Sequence, residues 1–438
     1  MNYFGTDGIR NKANTFTTEF LASIVEGLID YSSSDIKIML GGDTRESSEW
    51  ILADLEKICE SFGVQYANVG VLPTPAINYC FYKMGFDFAI DVTASHNSYT
   101  DNGIKIFERG ENHGEKLSQK GCRLVEKSIT ANNPHQFASA TLNENLHNDA
   151  LDVYKEHLLS YIKKADFKNL KIAIDCADGA TSVISSLIFD QLGATTTLIH
   201  ANQNYNTTIN HDCGSTHLES LQDTVTKNHL DFGIAFDGDG DRCLLIDENG
   251  EVVDGDQIIA IIANYLKLDK IAITVMANQG ILNWAKDNNI QIEITSVGDS
   301  NVASAMKEKN IAIGGEQSGH IILPGEPTGD GMLTSLMLTK IIAETNNSLG
   351  KLAKIITKSP QIIVNMSATP KQKQALESKD ESKKLLLEYD KVLKEINGRL
   401  LVRPSGTESL ILITMWGDDE AKITSLAEEL KTKLGDLL

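Results

Sequence analysis

No stretch of this sequence approaches the roughly 18 consecutive apolar residues that a membrane-spanning helix needs, and its start, MNYFGTDGIR, lacks the apolar core of a secretory leader. A cytoplasmic protein without a membrane partner is expected. Paired cysteines are missing too: the six stand at 59, 80, 122, 176, 213 and 243, the nearest two 21 residues apart. That excludes CxxC metal or redox spacing and leaves reduced, mostly buried thiols. Basic residues are outnumbered, 40 against 60, for a net charge of −20. Such a balance argues against nucleic-acid or anionic-membrane binding, which depend on clustered lysine and arginine, so any anionic substrate needs a local positive pocket. What remains, 41% hydrophobic and 23% charged residues with few prolines, is ordinary globular composition. A chain of 438 residues can hold several cores, in roughly two to four domains.

A weak internal repeat organises most of that length. Three lysine-led apolar runs, IKIML at 36–40, LKIAI at 170–174 and DKIAIT at 269–274, each enter a polar or glycine-containing loop, then a helical pattern, then another apolar run. The loops are GGDTRESSEW, DCADGATSV and VMANQGI. Strand, loop, helix and strand three times over predict an α/β fold of three similar domains, each a sheet covered by helices. From about residue 366 the pattern changes to a lysine- and glutamate-rich helical stretch, the strands RLLV and LILITMW, and a last helix. This reads as a smaller α+β domain, hinged near TKSPQI at 357–362, where Pro360 disfavours helix in the residue before it. The boundaries read from these changes are 1–150, 151–248, 249–360 and 366–438.

Four segments carry chemistry. FDGDGDRC at 236–243 sets Asp237, Asp239 and Asp241 on alternate positions, too dense in charge for packing. With Glu248 at a twelfth position the spacing suggests an EF-hand calcium loop, but the sixth position, which needs glycine, is Arg242, and the flanks are strand-like. A metal loop between strands with its own cation suits a reactive site better. At 88–107, FAIDVTASHNSYTDNGIKIF delivers Ser95 and His96 to a turn. Neighbours on a turn rarely face each other, and without a GxSxG elbow an acyl-transfer triad is not expected. An isolated Ser-His-Asn would be read as a turn cap. VRPSGTES at 402–409 gathers Arg403, Ser405 and Thr407 around Gly406, the cation and neutral donors that a phosphate dianion requires. GGEQSGH at 314–320 alternates Glu316, Ser318 and His320, side chains suited to sugar hydroxyls. Each of the last two, taken alone, could be a tight turn or a surface loop.

With FGTDGIR at 4–10 added, these motifs in this order resemble the α-D-phosphohexomutase family over the whole chain, and within it the branch acting on glucosamine phosphates. The resemblance implies four domains around a central cleft, three α/β and a smaller C-terminal α+β one. It implies that Ser95 is phosphorylated in the working enzyme. Asp237, Asp239 and Asp241, with an oxygen of the Ser95 phosphate, would hold one Mg²⁺ per subunit. Arg10, Lys105 and Arg242 match positions of the same site, with Lys105 the favoured proton acceptor, its pKa lowered by metal and arginines, and His96 its rival. Glu316 and Ser318, with His320 as a neighbour, fall to the sugar hydroxyls, and Arg403, Ser405, Gly406 and Thr407 to the far phosphate. The implied enzyme is an isomerase, an intramolecular phosphotransferase. It would convert glucosamine 6-phosphate and glucosamine 1-phosphate through glucosamine 1,6-bisphosphate, for UDP-N-acetylglucosamine and cell-envelope polymers, and would form a homodimer.

The sequence also departs from the family pattern. Ser98 and Ser409 stand in place of prolines, and Ser300 in VGDS replaces an arginine. Three rivals remain open: a mutase for glucose or mannose phosphates, in which methionine tends to replace Gln317; a metal-dependent sugar phosphatase; and a silent sugar-phosphate binder.

Overall fold

The structure, a computed structural model, describes residues 3–5, 7–32, 35–131, 133, 146–405 and 410–438. Strands β1 (Ile9–Lys12), β2 (Lys37–Gly42), β3 (Gln65–Val71), β4 (Phe88–Val92), β5 (Asp101–Arg109) and β6 (Gly114–Lys116) form the first sheet. The second contains β7 (Lys171–Asp175), β8 (Thr195–Ile199), β9 (Phe232–Phe236), β10 (Cys243–Ile246) and β11 (Val252–Val253). The third contains β12 (Lys270–Thr274), β13 (Gln291–Thr295), β14 (Gly314–Gly315) and β15 (Ile321–Ile322). The lysine-led runs are β2, β7 and β12. Their interiors are buried almost without interruption, as strands covered on both faces must be.

The three sheets repeat one topology. The lysine-led strand pairs in parallel with the next two strands of its domain: β2 with β3 and β4, β7 with β8 and β9, β12 with β13 and β14. The third strand of each set then turns back into an antiparallel fourth, β5, β10 or β15. The sheets are therefore mixed. The turns of these hairpins, residues 93–100, 237–242 and 316–320, occupy one topological position, beyond the carboxyl ends of the parallel strands, where open α/β sheets bind ligands. They carry Ser95, the aspartates and the GEQSGH motif.

A single apolar cluster runs from Met39 through Phe81, Tyr154, Phe232 and Ile273 to Ile356, so the first three domains share a core. The fourth has its own, built on Leu393, Ile411, Ile413, Met415 and Leu430. Its antiparallel sheet has the order β16 (Gln361–Ser367), β18 (Leu410–Trp416), β17 (Arg399–Pro404). β16 begins at Gln361, inside the TKSPQI segment expected to be a hinge.

Candidate active site

Ser95 is fully buried and sits in the left-handed region at φ +53°, a conformation that costs an L-residue roughly 1–2 kcal/mol. That backbone turns its hydroxyl toward the second domain, where Oγ donates to Asp237 Oδ2 at 2.7 Å. Its carbonyl, on the other side, accepts from Arg45 and Asn210 at 2.8 and 2.9 Å. His96 is half-buried with Nδ1 3.3 Å from the same hydroxyl. Burial and the cations Arg242 and Arg10 pull this imidazole down to about 4, so it is neutral at physiological pH.

Asp237, Asp239 and Asp241 are buried, with one oxygen of each inside a 4.8 Å cluster. Burial and its two neighbours hold Asp237 well above the ordinary carboxylate range. Oδ1 of Asp239 and Oδ1 of Asp241 are buried without a hydrogen-bond partner among the described residues. Crowded carboxylates with orphaned oxygens fit a hard, oxygen-binding dication. Arg242 follows the triad, its Nε 3.8 Å from Asp241 and 4.0 Å from Asp237.

Lys105 crosses from β5 to this cluster, 2.7 Å from Asp239, 3.0 Å from Asp241 and 3.1 Å from Asp7. Burial pulls the ammonium down, but the three carboxylates carry it well above the usual lysine value. This reverses the expectation of a lowered pKa: the direct neighbours of Lys105 are anions, and the arginines stand further off. Asp7 is tied in turn to Arg10 at 2.5 Å and Lys116 at 2.6 Å, and Lys116 also pairs with Asp299 of the third domain. Thr74 Oγ1 lies 2.6 Å from Asp91 and 2.7 Å from Asp239. Burial pushes the Asp91 carboxyl well above its ordinary value.

The third hairpin is bound to the second: Cys243 N–H donates to the Gly319 carbonyl at 3.1 Å, and Arg242 pairs with His320 as an antiparallel bridge. Ser318 is exposed at the loop tip, and Glu316 is half-buried, accepting from Gly298 N–H at 3.0 Å. His320 is buried, Nδ1 3.6 Å from Asp241 and Nε2 accepting from Gly329 N–H at 3.1 Å. It thus stands behind Asp241 rather than at the tip beside Ser318, a placement that favours orienting Asp241 over touching a ligand at the tip. A cavity of about 710 Å³ opens beside these residues, lined in part by Lys116, Asp299, Ser300 and His320. Arg403 is the next-to-last residue of β17, and the Ser405 carbonyl accepts from Lys373 Nζ at 2.7 Å. Gly406 and Thr407 lie outside the described residues.

The structure thus gathers Ser95, His96, Lys105, Arg10, Arg242 and the aspartates in one place, with Glu316, Ser318 and His320 on the adjoining loop. Arg45, Thr74, Asp7, Lys116 and Asp299 belong to the same network and were missed. Two of them had a visible signal: Asp7 lies inside FGTDGIR, and Arg45 ends the GGDTR loop after a lysine-led strand. A second acidic cluster, Asp175 with His200 and Cys213, is closed by its own hydrogen bonds, since Asp175 accepts from Ala177 N–H, Gly214 N–H and His200.

An acidic triad facing a buried serine, assembled from the hairpins of repeated α/β domains, is a site built for phosphoryl transfer. Four domain families match along the chain. They are phosphoglucomutase/phosphomannomutase alpha/beta/alpha domain I at residues 1–135, domain II at 152–250, domain III at 254–359, and the C-terminal domain at 364–433. The chain belongs to the phosphoglucomutase/phosphomannomutase family. Among its relatives, the phosphoglucosamine mutase of Caldicellulosiruptor bescii is 42% identical over 443 residues, covering 98% of this chain and 97% of that one. That of Clostridioides difficile is 37% identical over 461 residues, covering 100% and 99%. In fold, the chain is similar to a family protein from Burkholderia thailandensis, at a TM-score of 0.77 and 18% identity over 98% of this chain and 96% of that one. It is also similar to N-acetylphosphoglucosamine mutase of Aspergillus fumigatus, solved with GlcNAc-6P and magnesium, at a TM-score of 0.67 and 16% identity over 100% and 96%.

Proposed function

We propose that the protein interconverts glucosamine 6-phosphate and glucosamine 1-phosphate, with Ser95 carrying the phosphoryl group and glucosamine 1,6-bisphosphate as intermediate and activator. The observation that carries this reading is the Ser95 hydroxyl, buried and 2.7 Å from the first aspartate of the triad. The choice of sugar follows the names of the full-length relatives. Asp237, Asp239 and Asp241, with an oxygen of the Ser95 phosphate, would hold Mg²⁺, which when bound neutralises charge on the transferring group.

The residues of the chain do the rest. The free hydroxyl of the sugar monophosphate attacks phosphorus, its O–P bond forms as the Ser95 Oγ–P bond breaks, and its proton leaves to a base. Two groups stand near enough. His96 is neutral but, at about 4, a weak base. Lys105 is held protonated by the carboxylates that would bind the metal, and its proton affinity falls when their charge is taken up elsewhere. We therefore favour Lys105. Arg242 and Arg10 offset charge at the phosphate, while Glu316 and Ser318 take sugar hydroxyls. The bisphosphate reorients and returns its other phosphate to Ser95, the far phosphate being held by Arg403, Ser405, Gly406 and Thr407. The product carries phosphate on its anomeric oxygen, the form that a nucleotidyl transfer toward UDP-N-acetylglucosamine consumes.

The test compares kcat/KM for glucosamine, glucose and mannose phosphates, with Mg²⁺ and a trace of the matching bisphosphate. At least a tenfold preference for the glucosamine substrate is expected, the order a few polar contacts supply. Equal turnover of glucose or mannose phosphates would reassign the substrate, and stoichiometric release of inorganic phosphate would make the protein a phosphatase.

A further inference from the structure

The loop GGDTR at 41–45 ends β2 and has no part in the chemistry above, yet Arg45 is completely buried, a rare place for a guanidinium. Its Nε donates to Asp43 Oδ2 at 2.9 Å, and its backbone N–H to Oδ1 at 3.0 Å. The two terminal nitrogens collect four carbonyl oxygens of the nucleophile turn. Nη2 reaches Ser95 and Asn97, both at 2.8 Å, and Nη1 reaches Ser98 at 2.6 Å and Asp101 at 3.2 Å. From the second domain, Asn210 Nδ2 donates to the Ser95 and Asn97 carbonyls at 2.9 and 3.1 Å. Asp43 also receives Thr93 Oγ1 at 2.7 Å, and that hydroxyl oxygen accepts the Ser95 N–H at 2.9 Å.

The same segment fixes the turn against the metal loop. Asn206 N–H donates to the Thr44 carbonyl at 2.7 Å, and Glu46 N–H to the Asn206 carbonyl at 2.9 Å, a bridge between the first and second domains. The Ser95 carbonyl meets Gly238, between the first two aspartates, so closely that a Cβ there would lie 2.8 Å from it. The left-handed backbone of Ser95 is thus held from the carbonyl side by donors on both domains.

We infer that Arg45, assisted by Asn210, is the positioning residue for phosphoryl transfer: its planar fork fixes the turn so that Ser95 Oγ faces the aspartate triad in line with the incoming hydroxyl. This rests on Ser95 as the phosphoryl carrier. In-line transfer depends on alignment, and a displacement of about 1 Å costs roughly 100-fold in rate. A lysine at 45 would still neutralise Asp43. Its three donors radiate from one atom, however, and cannot span four carbonyls.

The experiment uses the full chain with Mg²⁺, as wild type, R45K and N210G, the last keeping the left-handed backbone at φ +57° while removing the amide donors. Measured are kcat and KM on whichever hexose phosphate the wild type turns over best, inorganic phosphate released per turnover, and Ser95 phosphorylation by hexose 1,6-bisphosphate from intact mass. R45K is expected to lose about 100-fold in kcat with KM within about threefold, to phosphorylate more slowly, and to leak more phosphate to water. N210G is expected to show the same split at about tenfold, and it decides the matter if R45K does not fold. Variants with kcat within threefold of wild type, or with kcat and KM changing together and no added leak, would overturn the role. A wild type that moves no phosphate between hexose positions would instead overturn the reading of the site.

Discussion

At the scale of single residues, the site stores repulsion that a cation relieves. Asp237 is buried beside two further carboxylates, with Lys105 committed to Asp239 and Asp241 but not to it. Like charges about 4 Å apart cost several kcal/mol at an effective dielectric of about 20, partly offset here by Arg242. D237N removes one charge and keeps the shape. In chelator its unfolding free energy is therefore expected to rise on the order of 1 kcal/mol above wild type. Added Mg²⁺ should raise the wild-type Tm and leave the variant's unmoved, and turnover should fall at least 100-fold. A thermal-shift titration checks both; an Mg²⁺ shift retained in D237N would remove Asp237 from the ligand set. Residues of this kind were legible because their chemistry is concentrated in a few adjacent positions. Arg45 shows in the sequence only as the end of the GGDTR loop, and its role does not, since its partners are carbonyl oxygens 50 to 56 positions away. The raised pKa of Lys105 was misjudged for a related reason: Asp7 approaches it from another segment, and the sequence does not show which charges arrive first.

At the scale of elements, the helix Gly255–Leu266 props the loop at 316–320. Asp254 caps it in a reciprocal box with Gln257, which fixes where its first turn begins. Gly255 N–H donates to the Gln317 carbonyl at 3.0 Å, and a Cβ at 255 would fall 2.0 Å from the Glu316 carbonyl oxygen. G255A must push the loop away. Its expected signature is a rise in KM for sugar phosphate of about tenfold, with phosphorylation of Ser95 by bisphosphate little changed, measured by steady-state kinetics and intact mass. A change confined to kcat would place the loop's role elsewhere. Elements with an apolar core were readable: β2, β7 and β12 stand where their lysine-led runs lie. β14 was invisible because it is Gly314–Gly315, residues with no strand preference. They pair there because bare backbone is needed, and a Cβ on Gly314 would lie 2.9 Å from Ala272. β16 was hidden by Pro360 directly before it, which reads as a break and in fact precedes a strand at the edge of its sheet.

At the scale of the molecule, four domains were legible in the repeat and in the changed composition of the last stretch, but their unequal attachment was not. Three share one core, whereas the fourth owns its core and touches the third through Arg399. That guanidinium donates to the carbonyls of Val275, at 3.0 Å, and Ala277, and stacks 3.8 Å over Trp416. R399A is expected to loosen this contact, speeding tryptic cleavage after Lys354 or Lys358 about tenfold and raising KM for sugar phosphate, while Tm of the first three domains holds. Unchanged cleavage would mean that β16 and its flanks anchor the domain unaided. A different consequence follows from the three hairpins that reach the centre from the same topological address. Because Ser95, the aspartate triad and the GEQSGH motif sit on separate but equivalent turns, each can be rewritten alone: a lineage can change the five residues 316–320 of the third turn and leave the first two as inherited.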